Sequence, residues 1–386
     1  MLRICFYVTG HGLGHATRSV GLVEELLRLG HRVTIVTALA PDFFHQNLRN
    51  SQPNYECIQR TLDTGAIQTN PVAVDPLATL DTFLTKIHRH RDAIIETELA
   101  FLHEGKYDGI ATDATGIVCT VGKLAGIPTV IVSNFTWDYV YREMLKANRK
   151  DMEDDKVREL ESMVERYTAD YVSADLFIRL PGETPLPPSF DHSKVVNAPL
   201  VCRKAKQTKE DMRKLHNISE DSKVLVLGFG GHQNTRRINF SDDMLPEGWI
   251  CLAFGLSEAD VAHTTKFTAV QFDIFMPDYI NLADAVLGKI GYGTVSECVA
   301  HGTPLIYVPR SNWPEEVQVE GYLNSKNAGV RLSPDDFYNG HWKPSIDEAI
   351  KKKGSWNTDD LGADDSIKKV AEMLCSFLLR SAHNEL

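Results

Sequence analysis

Short, continuous apolar runs alternate with helical patterns along most of the chain. This alternation constrains the fold more than any other feature. Arg3–Val8, Arg32–Thr37, Asp108–Asp113 and Pro128–Ser133 in the first half each read as a strand, as do Lys223–Gly228, Trp249–Gly255, Ala285–Gly291 and Pro304–Pro309 in the second. Between them helical spacing recurs, as at Val20, Val23, Leu26 and Leu27, closed by Gly30. Apolar strands joined by helices predict an α/β fold whose parallel sheets are covered on both faces.

The pattern breaks once and then restarts. Four prolines fall within Pro181–Pro188, which neither a helix interior nor a central strand tolerates. We therefore expect a first domain over residues 1–180, a linker over 181–200, a second domain over 201–365 and a terminal helix over 366–386 packed on the body. A length of 386 residues suits two to three domains. The net charge of −11 argues against non-specific nucleic-acid binding, although backbone N–H groups can still hold a small anion. The seven cysteines are dispersed and form no C-x-x-C pair. They read as free thiols of a reducing compartment and point to a cytoplasmic protein. The N-terminus turns polar too early for a signal peptide, and no run of about 18 apolar residues occurs to span a membrane. Peripheral membrane contact stays open.

Three loops carry candidate chemistry. Thr9–Arg18 (TGHGLGHATR) follows the first strand and opens the first helix. Gly10, Gly12 and Gly14 permit tight turns and close ligand approach, and the helix start offers free N–H groups. The spacing is not the dinucleotide fingerprint, and no acidic residue ends the second strand, so a nicotinamide cofactor is disfavoured. His15 suits either a general base or a residue that only hydrogen-bonds its own loop, and His11 competes for the role. Asp113, at a strand end on the same sheet edge, is placed either to orient an imidazole or to cap the next helix. Gly228–Thr235 (GFGGHQNT) lacks a P-loop lysine and reads as a phosphate cradle or a plain turn. In Gly288–Pro309, Gly291 and Gly293 turn the chain into a helix over Thr294–Gly302. Glu297 on that helix is either a bidentate partner for ribose hydroxyls or a surface residue. Glu315, Glu316 and Gln318 follow a strand end and suit sugar hydroxyls, as an exposed loop also would. Trp137 and Asp138 line an acceptor pocket or form a packed aromatic corner.

Taken together, GHGLGHATR and KIGYGTVSE…GTPLIYVP resemble the Gly-rich loop and donor motif of the peptidoglycan N-acetylglucosaminyltransferase family. YVTGHG-x-GHATR, Asn134–Asp138, Ile178–Gly182 and KIGYGTVSE also resemble the glycosyltransferase-like N-terminal half of plant L-arabinokinases, over about residues 1–350. The resemblance implies a GT-B fold of two facing Rossmann-like domains with an interdomain cleft. It implies inverting, metal-independent transfer of a sugar, usually from a UDP-sugar, to a hydroxyl acceptor, with no cofactor. By matching positions it implies His15 as base and Asp113 as its partner, with Gly12, Gly14, Gly291, Gly293 and Thr294 at the donor. Gly230, Gly231 and His232 fall to the pyrophosphate, Glu297 to ribose, Glu315, Glu316 and Gln318 to the donor sugar, and His11, Trp137 and Asp138 to the acceptor. The absence of a D-x-D motif agrees with metal independence. The family's Gln-Gln pair is replaced by Glu-Glu-x-Gln, which leaves the donor sugar open. An epimerase or hydrolase on the same fold, or a non-catalytic nucleotide-sugar-binding module, stays as an alternative. Arabinose phosphorylation is not expected, because no sugar-kinase segment is present in the sequence.

Overall fold

A computed structural model describes residues 1–48, 54–70, 72–229, 238–270, 275–353, 356 and 365–383. The first lobe is built on β1 (Arg3–Val8), β2 (Arg32–Thr37), β3 (Tyr55–Gln59), β6 (Gly109–Asp113), β7 (Thr129–Ser133), β8 (Leu176–Arg179) and β9 (Val195–Asn197), with a small hairpin of β4 (Gln68–Asn70) and β5 (Ala73–Val74). The second contains β10 (Lys223–Gly228), β11 (Trp249–Phe254), β12 (Phe267–Val270), β13 (Ala285–Lys289), β14 (Leu305–Val308) and β15 (Gly329–Arg331). Both main sheets are parallel. Their orders are β3-β2-β1-β6-β7-β8-β9 and β12-β11-β10-β13-β14-β15.

The central strands β1, β2, β6, β7, β10 and β14 are buried at nearly every position because helices cover both faces of each sheet. Two features differ from the expectations. The segment read as a linker contributes β9, whose parallel pairing with β8 extends the first sheet. Edge strand β3 also escaped notice, because its half-exposed residues lack an apolar run. A charged helix spans Asp154–Val172.

In each sheet the order reverses at one place, between β1 and β6 and between β10 and β13. Loops leaving two such neighbours diverge to opposite faces, which opens a crevice at their carboxyl ends. The Thr9–Arg18 loop and Asp113 meet at the first crevice. The carboxyl ends of β10 and β13, at Gly228 and Lys289, flank the second. One apolar cluster runs from the first lobe through Leu200, Val201 and Cys202 into the second. The terminal helix Ser366–His383 returns to the first lobe and buries Val370, Ala371, Leu374 and Leu378 there. None of the seven cysteines is paired. Among the described residues no helix is long and apolar enough to cross a membrane.

The second crevice depends on a close backbone approach. Gly288 of β13 lies beside Gly228 of β10, and a Cβ on Gly288 would sit 2.1 Å from the Gly228 carbonyl oxygen. Gly288→Ala should therefore destabilise the protein by about 1–3 kcal/mol, since neither backbone can yield without disturbing the sheet. Gly321, exposed in the helix Glu316–Ser325, has open space where a Cβ would stand. Gly321→Ala should stabilise by roughly 0.5–1 kcal/mol. Opposite signs in paired urea titrations are the expected result, and equal shifts would contradict the crevice packing.

Candidate active site

The helix Gly12–Arg28 begins directly at the first crevice, and its i, i+3 spacing sets His15 and Arg18 on one face. That face looks onto the end of β6. Asp113 is 1 % exposed, and such a carboxylate needs partners to stay ionised. It is well supplied. Arg18 donates from Nε at 2.6 Å and from Nη2 at 2.5 Å to its two oxygens. His15 Nδ1 lies 3.0 Å from Oδ1, and Ser133 Oγ donates to the same oxygen at 3.2 Å. Burial works against the charge, but Arg18 and His15 outweigh it and hold the carboxyl well below the usual range. His15 lines the cleft, and with Nδ1 turned to Asp113 its other ring nitrogen is Nε2.

His11 is employed differently. Its Nδ1 accepts the Ala66 N–H at 3.1 Å, which places the proton of a neutral ring on Nε2. Its ring stacks on Trp313 of the second lobe, with centroids 5.3 Å apart, and meets Trp137 edge-on at 5.2 Å. Of the two histidines, His15 is the one able to accept a proton at Nε2.

From the second lobe, the helix Tyr292–His301 points its N-terminus into the same cleft of about 700 Å3. No side chain caps this helix or the helix Gly12–Arg28, so their first N–H groups face the cavity. The two helix starts touch, since a Cβ on Gly293 would stand 3.6 Å from Gly14 Cα. Lys289 and Arg310 line the cleft beside them. Burial, aided by Arg310 and opposed by Glu315, brings the Lys289 ammonium down to about 7. Two helix N-termini and two cationic side chains make a local anion site in an acidic chain.

Other contacts join the lobes. Asn134 accepts from Arg18 Nη1 at 2.6 Å and donates to Glu315 across the cleft at 2.8 Å. The Arg18 guanidinium lies over the Tyr292 ring at 4.6 Å. At one end of the cleft the β4–β5 hairpin binds the second lobe: Ser311 N–H donates to Val72 O at 2.9 Å, and Val72 packs on that lobe's core.

The structure brings His15, Gly12, Gly14, His11, Gly291, Gly293, Thr294, Glu297 and Glu315 to one cleft. Gly230, Gly231 and His232 lie outside the described residues. Asp113 stands behind His15, and four residues expected to touch a substrate do not line the cleft. Trp137 is fully buried behind His11, with Nε1 directed at Thr9 Oγ1, 3.3 Å away. Asp138 is also fully buried and turns to Arg142 and Thr168 at 3.0 and 2.8 Å, away from any acceptor. Glu316 closes on Arg310, accepting its backbone N–H at 2.7 Å and its Nε–H at 2.9 Å, because a buried carboxylate requires a cation. Gln318 stands on the helix Glu316–Ser325 outside the cavity. Glu315 reaches the cleft, but its oxygens already accept from Asn134 and from Trp313 Nε1. Glu297 is held by Arg203 at 2.9 and 3.0 Å, both on Oε1, which leaves Oε2 for another donor. Burial raises its carboxyl despite Arg203.

Sequence reasoning missed Arg18, Arg203, Lys289 and Arg310. It also missed Asp63, a buried carboxylate that accepts from Thr9 and Thr115 at 2.8 and 3.0 Å. The H-x-x-R spacing on a helix start was a usable signal for Arg18. The other four are paired only by the fold. Among the described residues no three His, Cys, Asp or Glu side chains are grouped to hold a metal ion.

The comparisons agree with this architecture. Residues 253–330 match the glycosyltransferase family 28 C-terminal domain. L-arabinokinase of Arabidopsis thaliana is 36 % identical over 352 residues, 91 % of this chain and 32 % of its own length, so the chain spans about a third of that relative. An uncharacterized glycosyltransferase of Methanopyrus kandleri is 22 % identical, over 70 % of this chain and 78 % of its own. Among solved structures, the calicheamicin glycosyltransferase CalG4 superposes with a TM-score of 0.66 at 19 % identity, covering 98 % of this chain and 99 % of CalG4. Phytolacca americana UGT2, complexed with UDP-2-fluoro-glucose and pterostilbene, gives a TM-score of 0.62 at 14 % identity, over 98 % of this chain and 100 % of its own. With two parallel, switch-point sheets facing one cleft, the chain has the GT-B fold, carries a segment similar to the glycosyltransferase family 28 C-terminal domain, and is similar over most of its length to part of L-arabinokinase.

Proposed function

We propose that the protein is an inverting glycosyltransferase that moves a sugar from a UDP-sugar to a hydroxyl acceptor without a metal ion. One observation carries the reading. His15, oriented by Asp113, and the anion-binding helix start Gly291–Thr294 with Lys289 line one cleft from opposite lobes. The complexes of structural neighbours with UDP-sugars support the choice of donor.

In this reading the acceptor hydroxyl attacks the anomeric carbon while the bond from that carbon to the diphosphate oxygen breaks on the opposite side, so configuration inverts. His15 Nε2 takes the hydroxyl proton, and Asp113 stabilises the resulting imidazolium. The leaving diphosphate keeps the electron pair of the broken bond. Its growing charge is met by the N–H groups of Gly293 and Thr294 and by Lys289, which need no reorganisation at that moment. Glu297 Oε2 takes the ribose hydroxyls. In this reading acceptor binding is not assigned to Trp137 or Asp138, nor the donor sugar to Glu316 or Gln318, since none of them lines the cleft.

A thermal-shift screen tests the donor class. At a hundredfold excess over its dissociation constant, UDP should add about 2.7 kcal/mol of stability, while adenine and nicotinamide nucleotides should add none. His15→Ala should lower turnover by a factor of about 10²–10⁴ and leave UDP affinity nearly unchanged. Equal losses in both would make His15 a binding residue, and sugar released at the same rate without acceptor would point to a hydrolase.

Lys289 gives the nucleotide site a signature in pH. Its ammonium titrates at about 7 in the empty cleft, and a bound diphosphate favours the charged form. Below about pH 7 the lysine is already protonated, so binding takes up no proton there. Above it, binding must protonate the lysine, and affinity declines as pH rises. UDP should bind up to about tenfold more weakly at pH 8.5 than at pH 7, with proton uptake visible by calorimetry in buffers of different ionisation enthalpy. Lys289→Met should flatten that dependence. A pH slope unchanged in this variant would remove Lys289 from the diphosphate site.

A further inference from the structure

We propose that Arg18 is the positioning residue of this site, a guanidinium that fixes His15 as the tautomer with a bare Nε2 and ties that state to contact with the second lobe. The proposal rests on the reading of His15 as the base and goes beyond it, since neither the loop motif nor the matched positions assign Arg18 a role.

Hydrogen-bond accounting carries the first half. Nε and Nη2 donate to the two oxygens of Asp113. Nη2 lies 3.0 Å from Ser133 Oγ, which in turn donates to Asp113. Nη1 donates to Asn134 Oδ1. Nη2 also lies 2.9 Å from His15 Nδ1, yet its two hydrogens are already directed at Asp113 and Ser133. The hydrogen between His15 and Asp113 therefore belongs to Nδ1, and Nε2 is left as the acceptor. Charge carries the rest. A lone carboxylate beside His15 would favour imidazolium, which is no base. The Arg18 cation beside the same carboxylate offsets that pull. The groups facing this cluster are Asp113 from β6, Asp63 from the loop before β4, the Phe135 ring after β7, and Tyr292 and Glu315 from the second lobe.

The second half follows from the direction of the bonds. Because Asn134 Oδ1 accepts from Arg18, its Nδ2 is aimed at Glu315. The guanidinium face meanwhile packs on Tyr292, at the start of the second lobe's cleft helix. Arg18 is thus buried against both lobes, so their separation disturbs the group that sets His15.

The test uses the full chain labelled with 15N-histidine, and its first readout needs no donor or acceptor. In the wild-type protein, two-bond 15N–1H correlation spectra should show His15 with a protonated Nδ1 and an unprotonated Nε2. The opposite tautomer overturns the proposal. In Arg18→Gln the His15 titration should move up by one pH unit or more. The acid limb of the transfer rate should move with it, so kcat at pH 7 falls about tenfold and recovers at alkaline pH, with the donor KM changed less than threefold. Arg18→Lys keeps the charge without the fork. It should hold the titration near wild type but lose the Asn134–Glu315 contact, seen as faster hydrogen exchange at both lobe edges. If Arg18→Gln fails to fold, the wild-type tautomer and the hydrogen exchange of Arg18→Lys at both lobe edges still decide, unchanged exchange overturning the proposal. A pH profile displaced in neither variant, or a uniform loss of kcat at every pH, overturns the positioning role. Absence of transfer with the expected tautomer and titration would count against the transferase reading alone.

Discussion

A carboxylate sealed between strands and a helix is the constraint on which the site is built. Asp113 ends β6 at the place where the strand order reverses and is almost inaccessible to water. An isolated buried charge is strongly unfavourable, and removing one partner of a buried pair costs about 3–5 kcal/mol. The chain meets this need with a bidentate arginine from the first helix, an imidazole one turn earlier and a serine from β7. The same bonds that keep Asp113 ionised hold that helix, β6 and β7 in register at their carboxyl ends. Site geometry and local stability are therefore two readings of one set of contacts. Because the Asp113 carboxyl is depressed, its contribution is present above the ordinary carboxylate range and is lost as pH falls through the folded-state value.

The two lobes meet through contacts of different kinds at different depths. At the base, a continuous apolar cluster and the returning terminal helix join them without directional demands. Nearer the cleft the contacts become specific: backbone against backbone at Gly14 and Gly293, an amide between Arg18 and Glu315, and His11 stacked on Trp313 and edge-on to Trp137. Small residues at the helix starts let those helices approach until both N-termini face one cavity. The β4–β5 hairpin fastens the rim to the loop at Ser311. A hydrophobic base with polar, directional contacts around the opening suits a hinge whose closure assembles the site.

Much of this was legible in the sequence, and the limits have physical causes. Strands β1, β2, β6, β7, β10 and β14 announced themselves because helices on both faces demand apolar runs. Edge strands β3 and β9 did not, since one side of an edge needs no apolar cover. His15 and Asp113 were readable because each follows or ends such a run. Trp137 and Asp138 also follow a strand end and looked equivalent, but they open a helix whose inner face is core. That helix rotates Trp137 under His11 and Asp138 toward the helix Asp154–Val172. Glu315 and Glu316 show how little residue type says without partners. Adjacent in sequence, one faces the cleft and bridges the lobes while the other is consumed by Arg310.

Charge distribution joins these observations into a single requirement. The chain as a whole carries −11, yet its cleft gathers Arg18, Arg203, Lys206, Lys289 and Arg310 against Glu24, Glu297 and Glu315. Within that group the charged side chains differ in their partners. Glu297 is drawn to Arg203, Glu315 is bound by neutral N–H donors, and Arg18 is spent on Asp113. Arg310 is paired with Glu316, and the two helix N-termini face the cavity with Lys289 beside them. An acidic surface that keeps one low-dielectric pocket positive repels polyanions in general while admitting a small anion that fits. In the proposed transfer this suits a diphosphate leaving group, because the dipoles that would meet its growing charge are already in place.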